Sequence, residues 1–145
     1  LATLLDEPYF QLPAPKSTGK ELFHLPWAEG RQRLNGLDPA VVQATFLALT
    51  VESVAQAIEL SGGCDRILVC GGGVHNRALL RRLGARLGVP VESSVSVGVE
   101  PDWLEAMAFA WMACCHVQGI PLNTPPFTGA RKGAVLGSLV PGWLR

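Results

Sequence analysis

Residues 68–76 read "LVCGGGVHN", so Gly71, Gly72 and Gly73 remove every β-carbon directly after an apolar run. Glycine has two uses at such a place: it lets a ligand approach the backbone, and it permits a tight turn with positive φ. In the first use, the free N–H groups and partial positive charge of the helix start that follows receive an anion, which suits a nucleotide. In the second use the glycines only turn the chain, and Asn76 only caps the helix. The spacing is not that of a G-x-x-x-x-G-K-[ST] phosphate cradle. Nor is it G-x-G-x-x-G with an acidic residue on the next strand, although Glu92 weakly fits that place.

Two further groups could carry chemistry. "KSTGK", residues 16–20, sets Ser17, Thr18 and Gly19 between Lys16 and Lys20 in a proline-bounded turn, suited to a phosphate or carboxylate and equally to an ordinary surface turn. Glu105 is the one ionisable residue between Trp103 and Cys115. Burying an unpaired carboxylate is costly, so Glu105 either meets a polar ligand or closes a D-x-x-E capping box with Asp102.

Other chemistries find no support. His24, His75 and His116 have no partner at metal-ligand spacing, and Cys114, Cys115 and His116 point to different helix faces, so no metal site is expected. A G-x-S-x-G elbow is lacking, which leaves hydrolase chemistry without a nucleophile. The four cysteines show neither C-x-x-C spacing nor the density of a secreted scaffold, and they read as reduced, mostly buried thiols of a cytoplasmic protein. Twelve basic and twelve acidic side chains cancel, giving no electrostatic footprint for nucleic acid or an anionic membrane. The apolar stretch from Trp103 to Val117 carries a glutamate and falls short of the roughly 20 residues that cross a bilayer, so a core helix is expected.

The elements that position these groups follow from pattern. A chain of 145 residues that is 48% apolar and 17% charged fits one domain with a real core. The prolines of residues 8–36 argue for an ordered loop with one short helix. Asp38, Pro39 and the pair Gly62 and Gly63 bracket a long helix that presents Val42, Phe46, Leu49, Val54 and Ile58 at helical spacing. "DRILVC" reads as a strand, "NRALLRRLGARLG" as an amphipathic helix and "VPVESSVSV" as a second strand, which together make a parallel βαβ unit. Asp102 is expected to open the next helix, running to about Gln118, and "GAVLGSLVP" to form a last or edge strand. This order implies an α/β layer architecture, with the glycines at the carboxyl end of a parallel strand, where such sheets bind ligands.

Taken in order, "DEPYFQLPAPKSTGKELF", "ILVCGGGVHNRALLRRL", "VEPDWLEAMAFAWMA" and "TGARKGAVLGSLVPG" resemble the C-terminal part of anhydro-N-acetylmuramic acid kinases. The resemblance spans nearly the whole chain and implies a ribonuclease-H-like lobe of the type found in sugar kinases, actin and heat-shock chaperones, with a mixed sheet containing parallel βαβ units and flanked by helices. The implied activity is ATP-dependent: the anhydro ring of anhydro-N-acetylmuramic acid is opened with water and the sugar phosphorylated to N-acetylmuramic acid 6-phosphate in cell-wall recycling. By the same resemblance, Gly71, Gly72, Gly73 and Asn76 hold the adenosine side, Lys16, Ser17, Thr18 and Gly19 line the cleft, Glu105 faces the sugar or the attacking water, and Thr128 and Gly129 form a loop before the last strand. Lys20 and His24 stand where the family pattern leads one to expect arginine and asparagine. The main catalytic aspartate, the phosphate loop and Mg²⁺ belong to an N-terminal lobe absent from these 145 residues, and the chain, which opens without methionine, reads as a piece of a longer protein. That lobe and a second copy are the expected partners. Another sugar kinase or ATPase of the same superfamily, or a non-catalytic Rossmann-like nucleotide-binding module, are the competing readings.

Overall fold

Pro8, Pro13, Pro15 and Pro26 break the start of the chain into short helices, α1 (Ala2–Leu5), α2 (Pro8–Gln11) and α3 (Leu25–Arg31), because proline supplies no N–H and clashes with a preceding helical turn. The computed structural model describes residues 1–31 and 34–140. Within 8–36 two short helices form where one was expected. Rings hold them: Tyr9 and Phe10 meet Phe23, and Phe23 meets Trp27 edge-on at 5.0 Å between centroids. Beneath them Leu4, Phe10 and Ala28 form a buried cluster with Leu49. Glu7 is buried at the α1–α2 junction and accepts from Trp27 Nε1 at 2.7 Å and Arg31 Nη2 at 2.6 Å, while the Arg31 guanidinium lies over the Trp27 ring.

The long helix α4 (Pro39–Leu60) starts as its sequence dictates, with the Ala40 N–H donating to Asp38 Oδ1 at 2.8 Å and Pro39 in the first turn. It stops where Gly62 and Gly63 take φ of +98° and +79°. Strand β1 (Ile67–Val69) follows, then α5 (Arg77–Leu87) and β2 (Val91–Ser93), and β1 pairs with β2 in parallel with Ile67 opposite Val91 and Val69 opposite Ser93. The βαβ unit is therefore present, as a sheet of two strands. Leu83 of α5 packs on Val51 and Ala55 of α4, flanked by Leu79, Leu87, Ile67 and Val91. Helix and strand approach closely at Gly84, where a β-carbon would stand 3.3 Å from the Val89 carbonyl oxygen. Arg86 ties the two helices: Nε donates to Glu52 at 2.8 Å and Nη1 to Glu59 at 2.7 Å. These bonds hold the Glu59 carboxyl below its ordinary value of 4.5 and push the Arg86 guanidinium up.

Strand β2 is shorter than expected. After Ser93, whose hydroxyl accepts the Val95 N–H at 3.3 Å, residues Ser94–Val97 coil into a 3₁₀ turn that ends at Gly98 with φ +80°. Serine and threonine hydroxyls compete for backbone groups in this way and end a strand early.

By packing, Leu1–Leu12 and Thr18–Asp102 form one unit, and Pro13–Ser17 forms a second with the residues from Trp103 onward. The second unit holds α6 (Leu104–Val117) and α7 (Pro125–Thr128). Three expectations are corrected here. Helix α6 forms, but Trp103, Met107, Phe109 and Trp111 are exposed and only Cys115 is buried, because apolar residues run all round the helix while little more than a short helix and loops accompany it. The last strand does not form among the described residues: Leu122 and Ala134 make a single antiparallel bridge, and Pro141 lies outside the described residues. Gly133 is required at that bridge, since a β-carbon would stand 2.7 Å from the Leu122 carbonyl oxygen. Finally, the cysteines are free but not mostly buried; Cys64, Cys70 and Cys114 are exposed, two of them flanking the short sheet where nothing covers them.

One described helix, α4, has the length and apolar composition to cross a membrane, with a mean hydropathy of 1.5. A core helix meets the same measure, and α4 buries Leu49, Val51 and Ala55 while pairing Glu52 and Glu59 with Arg86.

Candidate functional site

The carboxyl end of β1 delivers the chain to Gly71, whose φ of +67° and ψ of −172° lie in a region open essentially to glycine. Residues Gly72–His75 then make one 3₁₀ turn, and Asn76 caps α5 by accepting the Leu79 N–H at 3.0 Å. Three glycines that look alike in the sequence thus differ. Gly71 answers a backbone need. Gly73 sits at ordinary contact distance from Leu79 and Val69, at 3.9 and 4.0 Å from a would-be β-carbon. Gly72 has ordinary φ, is exposed, and a β-carbon there would meet no atom within 4 Å. Neither conformation nor packing within the fold asks for glycine at 72.

Capping occupies the Asn76 amide oxygen and leaves its NH₂ group with no partner among the described residues. Asn76 also lines a groove of about 550 Å³ between α4 and α5, walled by Ala40, Ala44, Leu47 and Leu79 with Thr50 and Arg82 as polar neighbours.

A second segment closes on the glycine turn. The Gly71 N–H donates to the Pro101 carbonyl oxygen at 2.9 Å, and His75 Nε2 reaches both oxygens of Asp102, at 2.9 and 3.1 Å. The expected D-x-x-E capping box therefore does not exist. Asp102 is engaged with His75, Trp103 stands at the N-cap of α6, and no side chain caps that helix. Glu105 lies exposed in the first turn of α6, where the helix dipole favours a negative charge. The signal that could have suggested this pairing is the shared position of the two segments at the carboxyl ends of paired strands, legible only once the strands pair. Nearby, Ser94 at the end of β2 is buried with its hydroxyl unpartnered among the described residues, another feature that sequence did not single out.

The "KSTG" residues fall across the two units: Lys16 and Ser17 in the second, Thr18 and Gly19 in the first. Lys16 and Gly19 are half-buried, Ser17 and Thr18 exposed, and the Gly19 carbonyl accepts the Leu22 and Phe23 N–H groups, each at 3.2 Å. Thr128 uses its hydroxyl locally, donating to the Thr124 carbonyl at 3.0 Å, and Gly129 ends α7 with φ +71° beside Pro15. His24 accepts the Trp27 N–H at 2.9 Å, and His116 meets the Leu136 carbonyl at 2.8 Å.

The model of one protein family, anhydro-N-acetylmuramic acid kinase, matches residues 1–142, nearly the whole chain. The chain belongs to the anhydro-N-acetylmuramic acid kinase family. It is thereby placed among kinases, transferases of amino-sugar metabolism and peptidoglycan recycling. Kinases of this family act on anhydro-N-acetylmuramic acid, and their chemistry calls in general for ATP and Mg²⁺. Among the described residues no three His, Cys, Asp or Glu side chains gather at a point that could hold a metal ion. The glycine turn is open at Gly72, where a β-carbon would meet no atom within 4 Å.

Proposed function

We propose that this chain is the adenosine-holding, C-terminal lobe of a two-lobe, ribonuclease-H-like kinase that opens the anhydro ring of anhydro-N-acetylmuramic acid with water and yields N-acetylmuramic acid 6-phosphate at the expense of ATP. The observation that carries the reading is Gly72: it is a glycine that neither backbone conformation nor internal packing explains, in a turn at the carboxyl end of a parallel strand, in a chain whose family is a kinase family. A bare, unobstructed backbone at that place leaves room for the close approach of a ligand. The base and ribose would lie against Gly71, Gly72 and Gly73, with the Asn76 NH₂ as a donor to them.

Phosphoryl transfer depends on positioning and charge stabilisation. By the family resemblance, Mg²⁺, the phosphate loop and the catalytic aspartate would belong to an N-terminal lobe of the same protein. Glu105, exposed and uncommitted to capping, would face the sugar or the attacking water, and Lys16, Ser17, Thr18 and Gly19 would border the cleft. The protein would act in the cytoplasm, where the recycled sugar meets ATP, and pairing of two copies would cover exposed apolar side chains such as Phe109 and Trp111.

The test is product analysis. The full-length protein, given ATP, Mg²⁺ and anhydro-N-acetylmuramic acid, should release ADP and the 6-phosphate in equal amounts, and the 145-residue chain alone should release neither. Turnover by the isolated chain would refute the lobe assignment. Phosphorylation of unrelated sugars with no action on the anhydro-sugar would refute the substrate.

A further inference from the structure

An aspartate in a D-x-x-E sequence directly before a helix would ordinarily cap it, yet Asp102 turns away from α6 and holds His75. The departure has a geometric sense. Two adjacent residues, Pro101 and Asp102, grip the glycine turn at both ends: Pro101 by its carbonyl on the Gly71 N–H at 2.9 Å, and Asp102 by its carboxylate on His75 at 2.9 Å. Between the two grips lie only Gly72, Gly73 and Val74. Among the described residues, the other hydrogen bond from that span to the 98–102 segment is the one at Gly71, and the glycines beside it allow the backbone wide rotation. Local rules of this kind tend to be broken where a site needs the residue for something else.

We infer that His75 and Asp102 are positioning residues for the nucleotide, a clasp that keeps the turn in the shape that receives adenosine; the inference rests on the reading of Gly71–Gly73 proposed above. All of its parts lie in the first unit. Both side chains are largely exposed, at 65% and 51% of their surface, so the clasp is a modest one and adds little to the stability of the fold. What it changes is how often the turn has the binding shape, and a ligand's apparent affinity falls in proportion to that fraction.

The experiment uses the full-length protein with His75→Ala, Asp102→Ala, the double variant and Gly72→Val, and measures KM for ATP, KM for the anhydro-sugar, kcat and Tm. Either single alanine variant should raise KM for ATP by up to about fivefold, the upper end of what an exposed hydrogen-bonded pair holds. The sugar KM should be unchanged and Tm should move by no more than about 3 °C. The double variant should be no worse than the singles, because residues acting as one unit are not additive. If Gly72→Val raises KM for ATP while both alanine variants keep the wild-type value, the turn reading stands and the clasp is overturned. A double variant that multiplies the single effects, to about 25-fold, also overturns it. If Gly72→Val leaves KM for ATP unchanged, the nucleotide reading of the turn falls and the clasp falls with it.

Discussion

Gly71 and Gly72 are neighbours that should fail in opposite ways. At Gly71, φ of +67° with ψ of −172° belongs to a region that other residues enter at a cost of about 1–3 kcal/mol. In a protein longer than these 145 residues each kcal/mol lowers Tm by roughly 2–3 °C, so Gly71→Ala should lower it by about 4 °C. At Gly72 a β-carbon meets nothing within 4 Å, so Gly72→Val should leave Tm within about 2 °C of wild type. Binding should rank the other way. A valine side chain fills the space through which adenosine would come, with a loss of at least tenfold and, by analogy with overpacking a filled site at up to ~3 kcal/mol, as much as roughly a hundredfold. Thermal melts and calorimetric titration of ATP and of the anhydro-sugar on the full-length protein separate the two effects. Retained ATP affinity in Gly72→Val, a parallel loss of sugar affinity, or a fall in Tm as large as that of Gly71→Ala would each refute the reasoning.

Glu105→Gln should lower kcat by about 10²-fold or more, as removal of a general acid or base does, while Tm stays within about 2 °C because the carboxylate caps nothing; the reverse ranking in kinetics and melts would make its role structural. Glu7→Ala removes the acceptor of two half-buried donors, Trp27 Nε1 and Arg31, and should cost about 2 kcal/mol by denaturant titration; a loss under about 0.5 kcal/mol would show that the junction does not depend on it. The Glu59 carboxyl is depressed chiefly by its hydrogen bond from Arg86, so its contribution is present above its unfolded value of 4.5 and is lost as pH falls through the lower folded value. Wild type and Glu59→Gln should therefore differ in Tm near neutral pH and converge well below pH 4.5, and a difference that persists in strong acid would contradict the assignment.

Local chemistry was legible in the sequence wherever near neighbours decide it. Asp38 and Pro39 start α4, Gly62 and Gly63 stop it, Asn76 caps α5, and the apolar runs on either side of α5 pair as parallel strands, because caps, breakers and periodicity act over a few residues. The order of four motifs was enough to place the chain in its kinase family. Which partner a residue takes across 20 or more positions was not legible. The sequence offered Asp102 a cap three residues from Glu105, and the fold gave it His75, 27 positions back, because the carboxyl ends of β1 and β2 lie side by side. The expected last strand needed a partner edge and found only Leu122 for Ala134. Helix α6 carried the composition of a core helix, yet burial depends on what surrounds a helix, and only Cys115 became buried. The glycines show the division most plainly: sequence alone determined that three β-carbons are missing at the end of a strand, and only the tertiary structure decided that Gly71 serves the backbone while Gly72 stands clear of its neighbours, since φ and the neighbouring atoms exist only once the chain has folded.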